Sequence, residues 1–129
     1  MIKSNAFDYI NVLDKAADAS WLRNEAIANN IANVDTPNYK REDVTFQKEL
    51  KRALLRSPYS SMDEKVKNLS TDRLQARTYK DYAGYAYRLD GNNVDIETEN
   101  TILAKNQLMY EGLLNSISQE FNNLQRAMQ

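Results

Sequence analysis

The stretch IANNIANVDTPNYKR, residues 27–41, marks the place where a long helical pattern stops. Its isoleucines and alanines have helical spacing, but Asn29, Asn30 and Asn33 each weaken an isolated helix by ~0.5 kcal/mol relative to alanine. Pro37 then disfavours helical geometry at the residue before it and offers no backbone donor. Two interpretations stay open: the amides hydrogen-bond to nearby backbone or to another chain, or the helix end is solvated and frayed.

An apolar seam leads into this stretch from the N-terminal side. Alternating steps of four and three residues from Ala6 to Val34 give the repeat of a helix that packs along another helix, although Ser20 and Asn24 interrupt it. We predict a helix over about 5–33, with Asn5 as its N-cap. The seam consists of Ala6, Ile10, Leu13, Ala17, Ser20, Asn24, Ile27, Ile31 and Val34.

The C-terminal part of the chain repeats the pattern, which predicts a second long helix over about 96–127. Asp95 is placed to cap its start, and Glu97 and Glu99 suit the positive end of the helix dipole. Its seam consists of Leu103, Gln107, Tyr110, Leu114, Ile117, Phe121, Leu124 and Met128.

The acidic residues at the start of this helix allow a second interpretation, a metal loop that begins at Asp90. An EF-hand pattern would need an oxygen ligand where Val94 stands and a glycine where Asp95 stands. We therefore expect a turn over residues 90–93 followed by ordinary start-of-helix chemistry, with no metal or cofactor.

The middle segment, about 40–90, has a mixed character. FQKELKRALLRS, residues 46–57, predicts a short helix that ends before Pro58. Tyr85, Tyr87 and Leu89 alternate as in a short strand, so a hairpin and disorder are both possible there. The tyrosines and basic residues of this part predict either an aromatic surface that stacks on bases or sugars, or a half-buried hairpin face; they are Tyr79, Tyr82, Tyr85, Tyr87, Arg77, Lys80 and Arg88.

Composition excludes several classes of function. The chain has 129 residues, of which 42% are hydrophobic and 27% charged, and its net charge is −1. That balance gives no electrostatic preference for nucleic acid or an anionic membrane. Without cysteine or histidine, there are no disulfides, thiol nucleophiles, histidine bases or usual zinc sites. We expect one domain over residues 1–129, with neither a cleaved signal peptide nor a membrane-inserted segment.

These patterns together predict a mainly α fold. Two long helices with matching seams at opposite ends of a chain pair in an antiparallel, coiled-coil-like hairpin, with a short helix and a small extended or partly disordered segment between them. Too little chain remains to cover both stripes completely. The uncovered part would pack against neighbouring subunits.

Residues 29–41, NNIANVDTPNYKR, closely resemble the N-terminal motif of the bacterial flagellar rod and hook proteins, the axial proteins of the basal body. The likeness includes the asparagine spacing, the Thr-Pro-Asn-Tyr step and the basic residues after it. Residues 89–114, LDGNNVDIETENTILAKNQLMYEGLL, together with the short length, resemble the proximal rod proteins of the FlgB type within that family.

The resemblance implies a structural role without catalysis. Members are exported unfolded through the flagellar type III apparatus without cleavage, and they stack helically so that their terminal helices line a hollow shaft. The resemblance also implies a location at the basal body in the cell envelope. The implied partners are copies of the same chain, other rod proteins and components of the basal-body base or export apparatus. We expect a turn at Asp35, Thr36, Pro37, Asn38 and Tyr39. The assembly interface is then expected at Ile10, Leu13, Ala17, Asn24, Ile27, Asn30, Ile31, Asn33, Val34, Leu103, Gln107, Tyr110, Leu114, Ile117, Phe121 and Leu124.

Two other functions remain as hypotheses. A helical-hairpin binding module or adaptor of the export system would dock one partner and stay monomeric or dimeric. A hydrolase would need a pair of carboxylates across a cleft, whereas Asp90, Asp95, Glu97 and Glu99 all lie at the start of one helix. Electron microscopy of the concentrated protein, alone and with other rod proteins, would separate these alternatives by the presence of polymer.

Overall fold

The computed structural model describes residues 6–82 and 88–129. Helices α1 and α4 are the two long elements, and the shorter elements lie between them in the sequence. The order is α1 (Ala6–Ala32), β1 (Glu42–Val44), α2 (Phe46–Arg56), α3 (Met62–Lys67), a 3₁₀ turn (Thr71–Arg73), β2 (Thr78–Lys80) and α4 (Ile96–Ala127).

Helices α1 and α4 pack against each other in antiparallel orientation. The Asn106 side chain of α4 donates to the Ser20 carbonyl of α1. One turn further along α4, the rings of Tyr110 and Trp21 have centroids 6.0 Å apart. The Glu99 carboxylate, nearer the start of α4, meets Asn30 near the end of α1. The predicted mainly α fold and helical pairing are confirmed. The end of α1 and both ends of α4 lie within one residue of the predicted bounds, while the predicted start of α1 at residue 5 lies outside the described residues.

The face of α1 that packs inside the chain combines branched and small side chains. Ile10 and Ile27 are buried there, together with Ala17 and Ala26. Because alanine adds little volume, neighbouring backbone can approach α1 closely and exclude water.

A second packing layer covers one side of the hairpin. Strands β1 and β2 pair antiparallel, with Asp43 opposite Tyr79. Phe46, the first residue of α2, is buried with Ala19 of α1 and Leu74, which follows the 3₁₀ turn. The amphipathic spacing of α2 produces this contact, so the predicted short helix over residues 46–57 is confirmed.

Helix α3 and the pairing of β1 with β2 were not predicted from the sequence. Both strands have three residues, too few for an alternating pattern to stand out. The Ser61 hydroxyl caps α3 by accepting from the Glu64 amide at 3.2 Å. This Ser-x-x-Glu spacing was a local signal for the start of α3.

Several predictions fall on or beside residues 1–5 and 83–87, which lie outside the described part of the chain. The Asn5 cap and the strand positions Tyr85 and Tyr87 lie outside the described residues. Leu89 is fully exposed in a turn, not part of a strand. That turn is closed by the Gly91 amide donating to the Arg88 carbonyl at 3.1 Å, so it begins two residues before the predicted one.

Among the described helices, none combines the length and the apolar character that crossing a membrane would require.

Candidate functional site

The end of α1 is closed by an amide from the other side of the fold. The Asn92 side chain donates to the carbonyls of Asn33, Val34 and Thr36, each at 2.9 Å. The last carbonyls of a helix lack intrahelical donors, and Asn92 supplies donors just beyond that end while being completely buried. The helix therefore ends at Ala32, several residues before Pro37, because these carbonyls turn toward Asn92.

The predicted turn over residues 35–39 packs against the segment before α4. Asn38 has a positive φ of 62°, and its amide donates to the Asp90 carbonyl at 2.7 Å. Gly91 has a φ of 77°, and a Cβ atom added there would lie 2.5 Å from Asn38 Oδ1. The backbone conformation favours glycine at position 91, and any larger residue would also displace the Asn38 side chain.

Asn30 joins α1 to β1 and to α4. Its Oδ1 accepts from the Glu42 amide at 2.8 Å, and its Nδ2 donates to the Glu42 carbonyl at 2.8 Å. The same Nδ2 donates to Glu99 Oε2 at 3.2 Å, while the Tyr39 hydroxyl donates to Oδ1 at 3.2 Å. The Asn30 side chain thus bonds to both backbone groups of residue 42, as a neighbouring β-strand would. For Asn30, this confirms the interpretation that the amides bond to nearby backbone.

Arg41 carries the charge that balances Glu99. Its Nε donates to Glu99 Oε1 at 2.7 Å, and its other nitrogens lie 2.5 Å from Asp81 and 3.3 Å from Asp43. The Glu99 side chain is 1% exposed. Burial acts to lower the pKa of the Arg41 guanidinium, but the hydrogen bonds and charges of these carboxylates outweigh it and hold the pKa above its ordinary value. Arg41 is therefore a permanent cation.

Further side chains tie the same two segments together. The Arg41 amide donates to Asn93 Oδ1 at 2.7 Å, and Asn93 Nδ2 donates to the Asp81 carbonyl at 2.6 Å. Lys40 Nζ donates to the Gly91 carbonyl. Arg88 donates to the Val34 carbonyl at 2.6 Å. We call Asn30, Arg41, Asn92 and Glu99 the polar junction, because they join the end of α1 to the start of α4.

The polar junction has the chemistry of a structural joint. Its buried carboxylate is committed to Arg41 and Asn30. Within residues 6–82 and 88–129, no group of three or more carboxylate, histidine or cysteine side chains is placed to hold a metal ion. Asp95 is the N-cap of α4, as predicted, because its side chain accepts from the Glu97 amide at 3.1 Å. Glu99, by contrast, serves the polar junction more than the helix dipole.

The predicted interface residues of α1 mostly face the interior of the chain. Ile10, Ala17, Ile27 and Asn30 are buried, so in this conformation other parts of the same chain cover them. Leu13, Asn24, Ile31, Asn33 and Val34 are partly buried. Their role between subunits stays a prediction, while their role within the subunit is visible.

The predicted seam of α4 divides into two stripes. Leu103, Tyr110, Ile117 and Leu124 are partly buried against the rest of the chain. Gln107, Leu114 and Phe121 lie seven residues apart and are exposed, as is Met128. The inward face instead includes two buried polar residues, Glu99 and Asn106, at the same heptad spacing.

The polar interruptions of the α1 seam have a partner in α4. Asn106 Nδ2 donates to the Ser20 carbonyl at 2.8 Å and to Asn24 Oδ1 at 3.0 Å. Sequence reasoning missed Asn106, since it placed the neighbouring Gln107 on the seam. The available signal was that Asn106 lies at the same level of the antiparallel helix pair as Ser20 and Asn24, the polar interruptions of the α1 seam.

An open apolar edge runs along the side of the hairpin away from α2. Its residues are Phe7, Trp21, Leu114 and Phe121, with 61%, 57%, 45% and 52% exposure. Leu114 and Phe121 are seven residues apart and Phe7 and Trp21 are fourteen apart, so each pair lies on nearly the same side of its helix. The contact of Trp21 with Tyr110 brings the two pairs to one side of the hairpin. Exposed apolar side chains that share one side of a hairpin are typical of a protein interface.

Comparisons with known proteins agree with the resemblance noted in the sequence. A family model described as "Flagella basal body rod protein" matches residues 10–40. The flagellar basal body rod protein FlgB of Borrelia hermsii is 34% identical to the chain, covering 89% of it and 91% of that protein. FlgB of Bacillus subtilis is 34% identical over 92% of both chains. FlgB of Escherichia coli is 33% identical over 83% of both chains.

Proposed function

Because the chain belongs to the FlgB family of flagellar basal body rod proteins, we propose that it polymerises through its terminal helices into the hollow proximal rod, the shaft that transmits torque from motor to hook. Membership implies a structural component of the rod that assembles with other rod components at the basal body. The finer proposal concerns how the subunits pack and how force passes through them. We propose that its neighbours are copies of the same chain, other rod proteins and components of the basal-body base. The chain would reach them by type III export without cleavage.

The open apolar edge is the observation that carries this proposal. Leu114 and Phe121 of α4, with Phe7 and Trp21 of α1, remain exposed although they continue the apolar pattern of their helices. Burying such side chains contributes ~1.5–3 kcal/mol each, which gives neighbouring subunits a reason to associate. In a closed hairpin serving only its own stability, these positions would be polar.

The polar junction supports the mechanical part of the proposal. Buried amides and ion pairs specify one geometry, because any sliding of α1 along α4 would leave Asn30, Asn92 and Glu99 without partners. A subunit fixed in this way passes a twisting force from one terminal helix to the other without rearranging. Torque would then be carried by rigid packing.

Substitution on opposite sides of α4 tests the proposal. Leu114→Asp places a charge on the open apolar edge and should prevent incorporation into rods and abolish swimming, since a charge in an apolar contact is left unpaired. Leu108→Asp is the matched control, because Leu108 is 70% exposed on the other side of the same helix. Circular dichroism should show unchanged helicity for both variants, and secretion of each should continue.

A rod with normal composition and normal swimming in the Leu114→Asp strain would reject the open apolar edge as an assembly surface. Ile27→Asp should behave differently from Leu114→Asp, because Ile27 is completely buried within the subunit. We expect that variant to lose helicity as well as assembly. Loss of assembly alone would place Ile27 between subunits after all.

The alternative role is an adaptor of the flagellar type III export system that docks one partner through the same edge. Polymer in electron micrographs of the concentrated chain, alone or with other rod proteins, would favour the rod subunit. A defined monomer or dimer that binds an export component and never enters the rod would favour the adaptor.

A further inference from the structure

A basic groove lies between α2 and the α3 region, away from the polar junction and the open apolar edge. It has a volume of about 580 Å³ and is lined by Arg52, Arg56, Lys65, Arg73 and Arg77. The only acidic side chain among its described lining residues is Glu49. In a chain of net charge −1, this is a strong local concentration of positive charge.

Among the described residues, the cations of the groove have no acidic partner in an ion pair. Within the described residues, the ion pairs involve Arg23, Arg41 and Arg88, and none involves a cation of the groove. Four of the five are exposed, and Lys65 is partly buried. The groove also has an apolar part formed by Leu69 and the buried Leu74, with Tyr59 at its rim. Its chemistry therefore fits a surface that is both acidic and aromatic.

The outer face of α1 has that chemistry. Asp14, Asp18 and Glu25 are exposed at positions four and seven residues apart, which places them in one stripe along the helix. Trp21 lies within the stripe and is 57% exposed. In the described part of the chain none of these three carboxylates makes an ion pair. We call Asp14, Asp18, Trp21 and Glu25 the acidic stripe.

The spacing of the charges matches as well as their sign. Asp14 and Asp18 are one helical turn apart on α1, and Arg52 and Arg56 are one turn apart on α2. Both pairs therefore have a separation of roughly 6 Å along their helix axes. Two helices lying side by side could pair both charges at once, while an arginine of the groove stacks on the Trp21 ring.

We propose that the acidic stripe of one copy of this chain docks into the basic groove of a neighbouring copy. This inference rests on the proposed function, because it names one of the contacts between rod subunits. The two surfaces are different, so the contact is heterologous. In a docked pair, one copy keeps a free groove and the other keeps a free stripe. Repeated contacts of this kind generate a helical stack instead of a closed dimer.

Disulfide trapping tests the contact directly, because the chain has no cysteine of its own. Copies carrying Asp18→Cys and copies carrying Arg56→Cys would be produced together in flagellated cells that lack the native copy. We expect a cross-linked dimer in isolated basal bodies under mild oxidation. Copies carrying Asp18→Cys together with copies carrying Lys105→Cys, an exposed position on α4, are the matched control and should not cross-link.

Charge reversal supplies the second measurement. Arg52→Glu with Arg56→Glu, or Asp14→Lys with Asp18→Lys, should each reduce the amount of subunit in rods at least about tenfold, since like charges then face each other. The four substitutions combined should restore most of that loss. Restoration would separate a contact between these two surfaces from separate effects on folding or export.

The outcomes distinguish this inference from the proposed function. If rods form normally, but the two cysteine variants never cross-link and the combined reversal restores nothing, the docking is wrong and the rod role stands. The same conclusion follows if only the groove reversal reduces assembly, because the groove then binds another anionic partner. If the unmodified chain is absent from rods, the proposed function fails, and this inference fails with it.

Discussion

Substitution of Arg41 by methionine should destabilise the subunit more than substitution of its partner Glu99 by leucine. Arg41 is the only cation bonded to Glu99 among the described residues, so Arg41→Met leaves a buried carboxylate with a single donor, Asn30 Nδ2 at 3.2 Å. Breaking a buried pair in this way costs about 3–5 kcal/mol. Methionine retains most of the aliphatic volume of the stem, so packing contributes little to the difference.

The reverse substitution leaves less damage. After Glu99→Leu, the Arg41 guanidinium keeps its contacts with Asp81 and Asp43. Asn30 Nδ2 keeps its bond to the Glu42 carbonyl at 2.8 Å. The substitution removes two hydrogen bonds to the carboxylate, from Arg41 Nε and from Asn30 Nδ2. Because neither loss leaves a charge without a partner, we expect a total cost of about 1.5–3 kcal/mol. The two single variants should therefore differ although they break the same ion pair.

The double variant is the decisive measurement. Arg41→Met combined with Glu99→Leu removes the stranded charge, so it should be more stable than Arg41→Met alone, by at least ~1 kcal/mol. Urea unfolding followed by circular dichroism would give the free energy of each variant, and the total for a domain of this size is about 5–15 kcal/mol. Equal losses for the two single variants, or a double variant less stable than Arg41→Met, would refute the assignment of a buried charge to Glu99.

Three further predictions concern the backbone and the tyrosine beside the polar junction. Gly91→Ala should destabilise the fold by at least ~1–2 kcal/mol in urea unfolding, because it meets a positive φ and the side chain of Asn38. Asn92→Leu should cost about 1–3 kcal/mol and reduce amide exchange protection at the end of α1, since three carbonyls lose one of their two donors and the buried amide that holds them together is removed. Burial, and then two nearby carboxylates, raise the pKa of Tyr39 above 10.0, so its contribution to stability should be complete below pH 10.0 and be lost as pH rises through the folded-state pKa. Ultraviolet titration of Tyr39→Phe against the parent chain checks this shift.

Periodicity was sufficient for the long elements of this fold. The four-three spacing and the Asp95 cap are local signals, so the end of α1 and both ends of α4 were predicted within one residue. The turn at residues 35–39 also follows from local residues. Strands β1 and β2 do not, because their pairing of Asp43 with Tyr79 depends on a contact between distant parts of the chain.

The partners of the polar residues were harder to predict than the helices. Glu99 fits the dipole at the start of α4, and nothing within one turn of it reveals that Arg41 lies against it. The seam of α4 was displaced in a similar way, since hydrophobicity favoured Leu114 and Phe121 while the structure turns Asn106 inward. A buried polar side chain is stable only with its partner in place, and such partners lie far apart in sequence.

The displaced seam has a physical meaning. A helix that served only its own hairpin would keep its apolar residues on the inward face and polar residues outside. In α4 the polar Glu99 and Asn106 share the inward face with partly buried apolar residues, and Leu114 and Phe121 are exposed. Directional hydrogen bonds thus fix the conformation of the subunit. The apolar side chains, whose contacts are less directional, remain available at its surface. For the rod subunit that we propose, this division would set the geometry of each copy before the copies stack in register.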